Sequence, residues 1–256
     1  MRFEMRLTEF DRLMRETLQL DTAAPNDVAL NGLQVANSRD EAGRAAFAVD
    51  ACLESIRRAV EWKADVLFVH HGLFWGQPLA LTGGHYQRVR ELLAGDCALY
   101  AAHLPLDLHP ELGNNAGLAR RLGLENTRPF GEYKGQKIGF RGELARPLGL
   151  EQVQALCCGA HRPLGVLPFG PKEIRTVGIV SGGSAQEAAE AIAEGLDLFI
   201  TGDAAHTIYH ACLEARINVI FGGHYLTEVW GVKSLAEKLS GVQGLQTSFL
   251  DIPTGL

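Results

Sequence analysis

The chain has no run of 18 or more apolar residues, so no membrane-spanning helix is expected. Its first residues, Met1-Arg2-Phe3-Glu4-Met5-Arg6, lack the apolar core of a secretory signal, so no export is expected either. It also lacks any Cys-x-x-Cys pair. Its five cysteines (Cys52, Cys97, Cys157, Cys158 and Cys212) are odd in number and scattered, the pattern of reduced, mostly buried thiols in a cytoplasmic protein. On a strand, adjacent Cys157 and Cys158 would point to opposite faces and make a poor soft-metal site. The phosphate loop Gly-x-x-x-x-Gly-Lys-[Ser/Thr] is absent. Basic residues are outnumbered, 24 Lys and Arg against 30 Asp and Glu, for a net charge of −6. That argues against an electrostatic nucleic-acid surface and leaves a nucleotide bound through a metal open.

What is present supports a globular core. Hydrophobic residues make up 46% and charged residues 21% of 256 positions, enough for one large domain or two small ones. Residues 7–20 carry Leu7, Phe10, Leu13, Met14 and Leu18 on one helical face. Residues 21–27 form a loop, and a short strand follows at 31–35. From residue 45 strands and helices alternate: strand 46–49, helix 53–62, strand 65–69, helix 85–93, strand 98–102. Such βαβ units imply parallel strands with right-handed crossovers. Another helix begins at Asn115. Residues 126–172 read differently, with frequent Gly and Pro, short strands at 136–140 and 166–169, and a helix at 150–156. They are expected to form an antiparallel insertion. The first pattern returns at strand 177–180, helix 185–194, strand 197–200, helix 206–214 and strand 219–221, with residues 234–239 in a closing helix.

The halves superimpose on one another. At an offset of 131, residues 49–71 match 180–202, with Phe68 on Phe199 and Val69 on Ile200. At an offset of 121, Leu99-Tyr100-Ala101-Ala102-His103 matches Ile220-Phe221-Gly222-Gly223-His224, and Asp107 matches Glu228. Each half therefore carries a strand followed by His-x-x-x-carboxylate. A duplication of two similar lobes with strand ends facing a shared cleft is expected. The first lobe spans 1–125 and the second 126–256, with the first and last segments able to cross over.

The chemistry gathers where strands stop. Val66-Leu67-Phe68-Val69 runs into His70-His71-Gly72, and the carboxyl edge of an α/β sheet is where sites form. Neutral imidazoles there are candidate metal ligands. On a helix, His224 and Glu228 share a face, and Gly222-Gly223 before them permits close backbone approach. His70, His71, Asp107, His224 and Glu228 together offer nitrogen and oxygen ligands for two ions with open positions. That mixture suits zinc, iron, manganese, cobalt or nickel better than calcium. Asp203, Thr201 and His206 could line the same cleft; His206 and His210 share a helical face that reads more simply as exposed surface. Gly182-Gly183-Ser184 before a helix could hold a phosphate, although such a turn is commonly just a turn.

His70-His71-Gly72, His103-Leu104-Pro105-Leu106-Asp107, Gly113-Asn114-Asn115, Thr201-Gly202-Asp203, Gly223-His224-Tyr225-Leu226-Thr227-Glu228 and the closing Phe249-Leu250-Asp251-Ile252-Pro253 resemble the signature of the NIF-three-like dinuclear-metal proteins, the GTP cyclohydrolase I type 2 homologues. The resemblance covers nearly the whole chain, in the form of the short bacterial members, with Gly72 where many members have proline. It implies an α/β fold duplicated as two three-layer α/β/α lobes around a dinuclear metal cleft, assembled as a toroidal homohexamer, a trimer of dimers. It implies metal ligands His70, His71, Asp107, His224 and Glu228. The activity it implies is metal-dependent hydrolysis of a small molecule such as a purine nucleotide or cyclic amide. Asp107 or Glu228 would bridge the ions, and His103 would face the substrate and shuttle a proton, so His103, Asp107 and Glu228 are the candidate catalytic residues. Two other readings use the same ligands: metal storage or delivery without turnover, and an assembly module that binds a nucleotide or a partner.

Overall fold

Apolar side chains on alternate positions of the central strands determine which helices cover which face. A computed structural model describes residues 5–256, so the part of the amino-terminal reading that rests on Met1-Arg2-Phe3-Glu4 lies outside the described residues. The first elements are α1 (Leu7–Leu18), β1 (Gly32–Val35), β2 (Arg44–Asp50), α2 (Leu53–Glu61), β3 (Val66–His71), α3 (Gly83–Ala94), β4 (Ala98–Ala101) and α4 (Leu104–Asp107). Next come α5 (Asn114–Leu122), β5 (Leu124–Tyr133), β6 (Gln136–Gly149), α6 (Leu150–Cys158), β7 (Gly165–Pro168) and β8 (Glu173–Ile179). The chain closes with α7 (Ala188–Ala193), β9 (Leu198–Thr201), α8 (Tyr209–Ala215), β10 (Asn218–Phe221), α9 (His224–Ser240) and β11 (Gln246–Phe249). Two compact units result. One holds the described residues up to Leu106 together with Val232–Ile252; the other holds Asp107–Gly231 and Pro253–Leu256.

In the first unit the sheet order is β1-β4-β3-β2-β11. β2, β3 and β4 are parallel to one another, as βαβ crossovers require, and β11 is parallel to β2. Ala46, Ala48, Leu67, Val69, Leu99 and Ala101 form one face, packed against Ile56 and Ala59 of α2 and Leu92 of α3. The alternate residues Phe47, Phe68 and Tyr100 form the other, with ring centroids 5.3 and 6.0 Å apart. Phe10 of α1 meets Tyr100 edge-on at 5.6 Å, so α1 covers this face. These aromatic side chains are fully buried, and each contributes roughly 1.5–3 kcal/mol through its removal from water.

In the second unit the order is β5-β6-β8-β9-β10-β7. Val177, Ile179, Leu198, Ile200 and Ile220 pack against Leu118 and Leu122 of α5 and Val153, Cys157 and Cys158 of α6. Phe130 and Phe199 meet at 6.2 Å on the alternate positions, and α7 contacts β9. Both units are therefore α/β, with helices packed on the two faces of a sheet. Both adjacent cysteines are buried on a helix, within this apolar cluster.

The duplication extends further than its sequence trace. The pairs Ala46↔Leu67 and Phe47↔Phe68 recur as Val177↔Leu198 and Gly178↔Phe199, each shifted by 131. The edge repeats as well: β1 runs antiparallel to β4, and β7 runs antiparallel to β10. The third strands correspond differently from the offset of 121. Leu67 pairs with Leu99 while Leu198 pairs with Asn218, which makes the ladder offset 119. A slip of two residues keeps every side chain on its own face, so the hydrophobic pattern alone cannot detect it.

Residues 126–172 are antiparallel but not set apart. They supply most of β5 together with β6 and β7, three strands of the second sheet. β6 is 14 residues long, and at Gly139 and Gly142 a Cβ would stand 2.1 and 2.8 Å from the carbonyl oxygens of Ile179 and Glu125, so the close approach of these backbones needs glycine.

Candidate metal centre

In the first unit, His70 and His71 end β3 and His103 follows β4. By alternation His70 and His71 leave the strand on opposite faces, yet at the sheet's end their ring centroids are 4.5 Å apart. His70 and His103 are 5.1 Å apart, and all three residues offer a ligand atom within 4.8 Å of one another. Each ring is held from behind. Nδ1 of fully buried His70 lies 3.0 Å from the Ala102 carbonyl oxygen. Nδ1 of His71 lies 2.8 Å from Asp50 Oδ1, and Nδ1 of His103 lies 3.0 Å from Asp27 Oδ1. A carbonyl can only accept, so Nδ1 of His70 carries the proton and its lone pair resides on Nε2. The two carboxylates favour the same tautomer in their partners. This is the arrangement that orients imidazoles for metal ligation and raises their basicity. Burial raises the Asp27 carboxyl, but the hydrogen bond and charge of His103, helped by Asn31 and the Ala29 amide, outweigh it and hold it at about 2.

In the second unit, His224 and Glu228 begin α9, four residues apart, with His224 Nε2 3.2 Å from Glu228 Oε2. Nδ1 of His224 lies 3.1 Å from both oxygens of Asp203, which follows β9. Asp107 and Glu228 are 5% and 3% exposed, and their carboxylates approach within 4.8 Å of each other. Asn114 Nδ2 donates to Asp107 Oδ1 at 2.8 Å, and Ser181 Oγ donates to the same atom at 3.2 Å. Two carboxylates buried this close are costly unless positive charge compensates them. The effect shows on His224. Glu228 foremost, against the opposing effect of burial and with help from Asp203, raises its pKa to about 9. The turn Gly182-Gly183 passes over this cluster, with Gly182 at φ +64° beside Glu228.

The donor sets are therefore imidazole nitrogen and carboxylate oxygen, buried or half-buried and pre-oriented, which fits divalent transition metals and zinc. A family model for Duf34/NIF3 (NGG1p interacting factor 3) matches residues 5–254. The chain belongs to the Duf34/NIF3 family. The family resemblance read from its motifs is thereby borne out. A relative from Treponema pallidum (strain Nichols), named GTP cyclohydrolase 1 type 2 homolog, is 45% identical over 98% of this chain and 100% of its own length. A Deinococcus radiodurans relative of the same name is also 45% identical, over 100% of this chain and 96% of its own. The solved structure of TTHA1606 from Thermus thermophilus is 39% identical, with a TM-score of 0.89 over 98% of this chain and 100% of that one.

Within this Duf34/NIF3 chain, the two units divide the expected site residues. His70, His71 and His103 form one cluster, and Asp107, His224, Glu228 and Asp203 gather in the other. Thr201 is buried beneath the second and donates to the Gly182 carbonyl at 3.3 Å. His206 and His210 are exposed, and neither belongs to a ligand cluster among the described residues. The Gly182 amide donates to Thr227 Oγ1 at 3.1 Å, so this turn serves the carboxylate cluster.

Of the acids behind the histidines, Asp203 reads from the sequence as a cleft residue, whereas Asp50 and Asp27 escape sequence reasoning. Asp50 carried a usable signal, because it ends β2 just as His70 and His71 end β3. Asp27 carried none: it lies in a loop 76 residues before its partner.

Proposed function

We propose that His70, His71, Asp107, His224 and Glu228 hold two divalent ions, and that the protein is a metal-dependent hydrolase acting on a nucleotide or cyclic amide. The observation that carries the metal reading is the Nδ1 anchoring of His70, His71 and His224, each by an oxygen, which turns Nε2 away from the anchor, in His224 toward Glu228 at 3.2 Å. The buried carboxylates of Asp107 and Glu228 supply the matching negative charge. Two ions in such a site lower the pKa of water and polarise a substrate oxygen.

The residues of the chain do the rest. His103 is held through Nδ1 by Asp27 and through its amide by the Asn31 side chain at 2.8 Å. That dyad fixes the ring, so Nε2 can take a proton from the attacking group and return it to the leaving group. Asn114 and Ser181 hold Asp107 in one orientation. The hydrolase reading is favoured by the relatives' name and by a donor set that leaves coordination positions open. The same reading carries a homohexamer with the sites facing its interior.

The test is metal analysis of protein purified without added metal, run beside a hydrolysis screen over nucleotides and cyclic amides. Two ions per chain and turnover that His224→Ala removes are expected. Metal lost from His224→Ala, with a blank screen for the native protein, would replace hydrolysis by metal storage or delivery.

A further inference from the structure

A cavity of about 290 Å³ opens in the first unit beside His71, lined among others by Asp50, Trp75, His85 and Arg88. His85 and Arg88 are three residues apart on α3 and so share one face of the helix. Arg88 is half-buried. Its neighbours Arg57 and Arg90 both reach Glu91, whereas Arg88 makes no ion pair or hydrogen bond among the described residues. Nδ1 of His85 is buried and has no hydrogen-bond partner among them. Among the described residues the one carboxylate on the cavity wall, Asp50, is turned to His71 Nδ1 at 2.8 Å. A guanidinium and an imidazole without acceptors, side by side in a concavity, make a site for an anion. The guanidinium fork matches phosphate oxygens in particular. Trp75 adds an aromatic surface, 37% exposed, with its Nε1 donating to the Gly72 carbonyl at 3.0 Å. An indole pinned in this way offers a platform for a flat ring at little entropic cost.

We infer that this cavity binds a phosphomonoester carried on a planar heteroaromatic compound, a mononucleotide by class. Arg88 and His85 take the phosphate, and Trp75 packs against the ring. The volume sits at the small end of ligand pockets, roughly 300–1,000 Å³, which suits one mononucleotide and not a polymer. His71 lines the same wall, so a bound ring lies next to a proposed metal ligand. The assignment of this ligand as the substrate rests on the hydrolase reading; the binding of the anion does not.

Calorimetry on the full-length protein, metal-loaded and metal-stripped, tests this with guanosine 5′-monophosphate, guanosine and inorganic phosphate as probes. The monophosphate should bind about ten- to a hundredfold more tightly than guanosine, the worth of a charge-assisted contact. Arg88→Ala and Arg88→Gln should each remove that advantage, leaving guanosine affinity and metal content unchanged. Trp75→Ala should weaken both nucleoside ligands and leave inorganic phosphate unaffected. No binding of the monophosphate, or equal affinity in native and Arg88 variants, would overturn the inference while leaving the metal centre standing. Arg88-dependent binding by a protein that takes up no metal would keep the pocket and sink the hydrolase reading.

Discussion

Gly182 and Glu228 are packed so closely that a Cβ on Gly182 would stand 2.1 Å from Oε1 of the carboxylate. Gly182 also has φ +64°, which a side chain disfavours. Gly182→Ala should therefore displace Glu228, the helix-borne carboxylate of the second unit. We expect a loss of about 1–2 kcal/mol from backbone strain alone, read by thermal unfolding, and a fall in bound metal, read by elemental analysis. A variant with native stability and native metal content would show that this carboxylate has room to move.

The acids behind the histidines should matter nearly as much as the ligands. Asp50→Asn and Asp203→Asn leave a side chain of the same shape beside Nδ1 of His71 and His224 but remove the charge. Each should weaken metal affinity about 10- to 100-fold, whereas alanine at either histidine should abolish one ion. Chelator competition measures both. Unchanged affinity in the asparagine variants would mean that these carboxylates only anchor loops.

Metal uptake should depend on pH in a direction set by His224. In the metal-free protein Glu228, and after it Asp203, raises this pKa from 6.5 to about 9 against the opposing effect of burial. The proton's contribution to stability is complete below pH 6.5 and is lost as pH rises through about 9. A ligating Nε2 must give up that proton, so apparent metal affinity should climb from pH 6 to about 9 and flatten above it. Competition titrations across that range, with proton release recorded in parallel, should show the trend disappear in His224→Ala. A flat profile in the native protein would remove His224 from the ligands.

Asn114 ties Asp107 to α9. It is fully buried, donates to Asp107 Oδ1 at 2.8 Å and accepts from the Gly231 amide at 2.8 Å. Asn114→Ala leaves Asp107 Oδ1 with Ser181 as donor and takes the side-chain acceptor from the Gly231 amide, and should cost about 1–3 kcal/mol. Asn114→Asp should be worse at neutral pH, because it adds a carboxylate beside Asp107, and should recover as pH falls. Denaturant unfolding at pH 5 and pH 7.5 separates the two variants.

Much of this was legible before any coordinates. Apolar residues on both faces of residues 46–49, 66–69 and 98–101 announce buried parallel strands, and the polar residues after them announce the site edge. Glycine-rich residues 126–172 misled, because the half-exposed edge strand β5 and its neighbour β6 carry weak alternation. β11 was unreadable as a strand for a similar reason: it has four residues, none fully buried.

The sequence by itself determined the class of fold and the duplication, and it singled out the strand-end histidines and carboxylates that make up the candidate ligand clusters. Those signals are local, one residue type at one spacing from a strand end. Only the tertiary structure decided what stands behind each histidine. It set Asp50 against His71 across 21 residues, Asp27 against His103 across 76 and Asp203 against His224 across 21. It also decided the two-residue slip between the third strands and the pairing of β11 with β2. Those outcomes come from side chains and ladders meeting across long separations. No spacing encodes them, because packing alone chooses among partners that the sequence leaves equivalent.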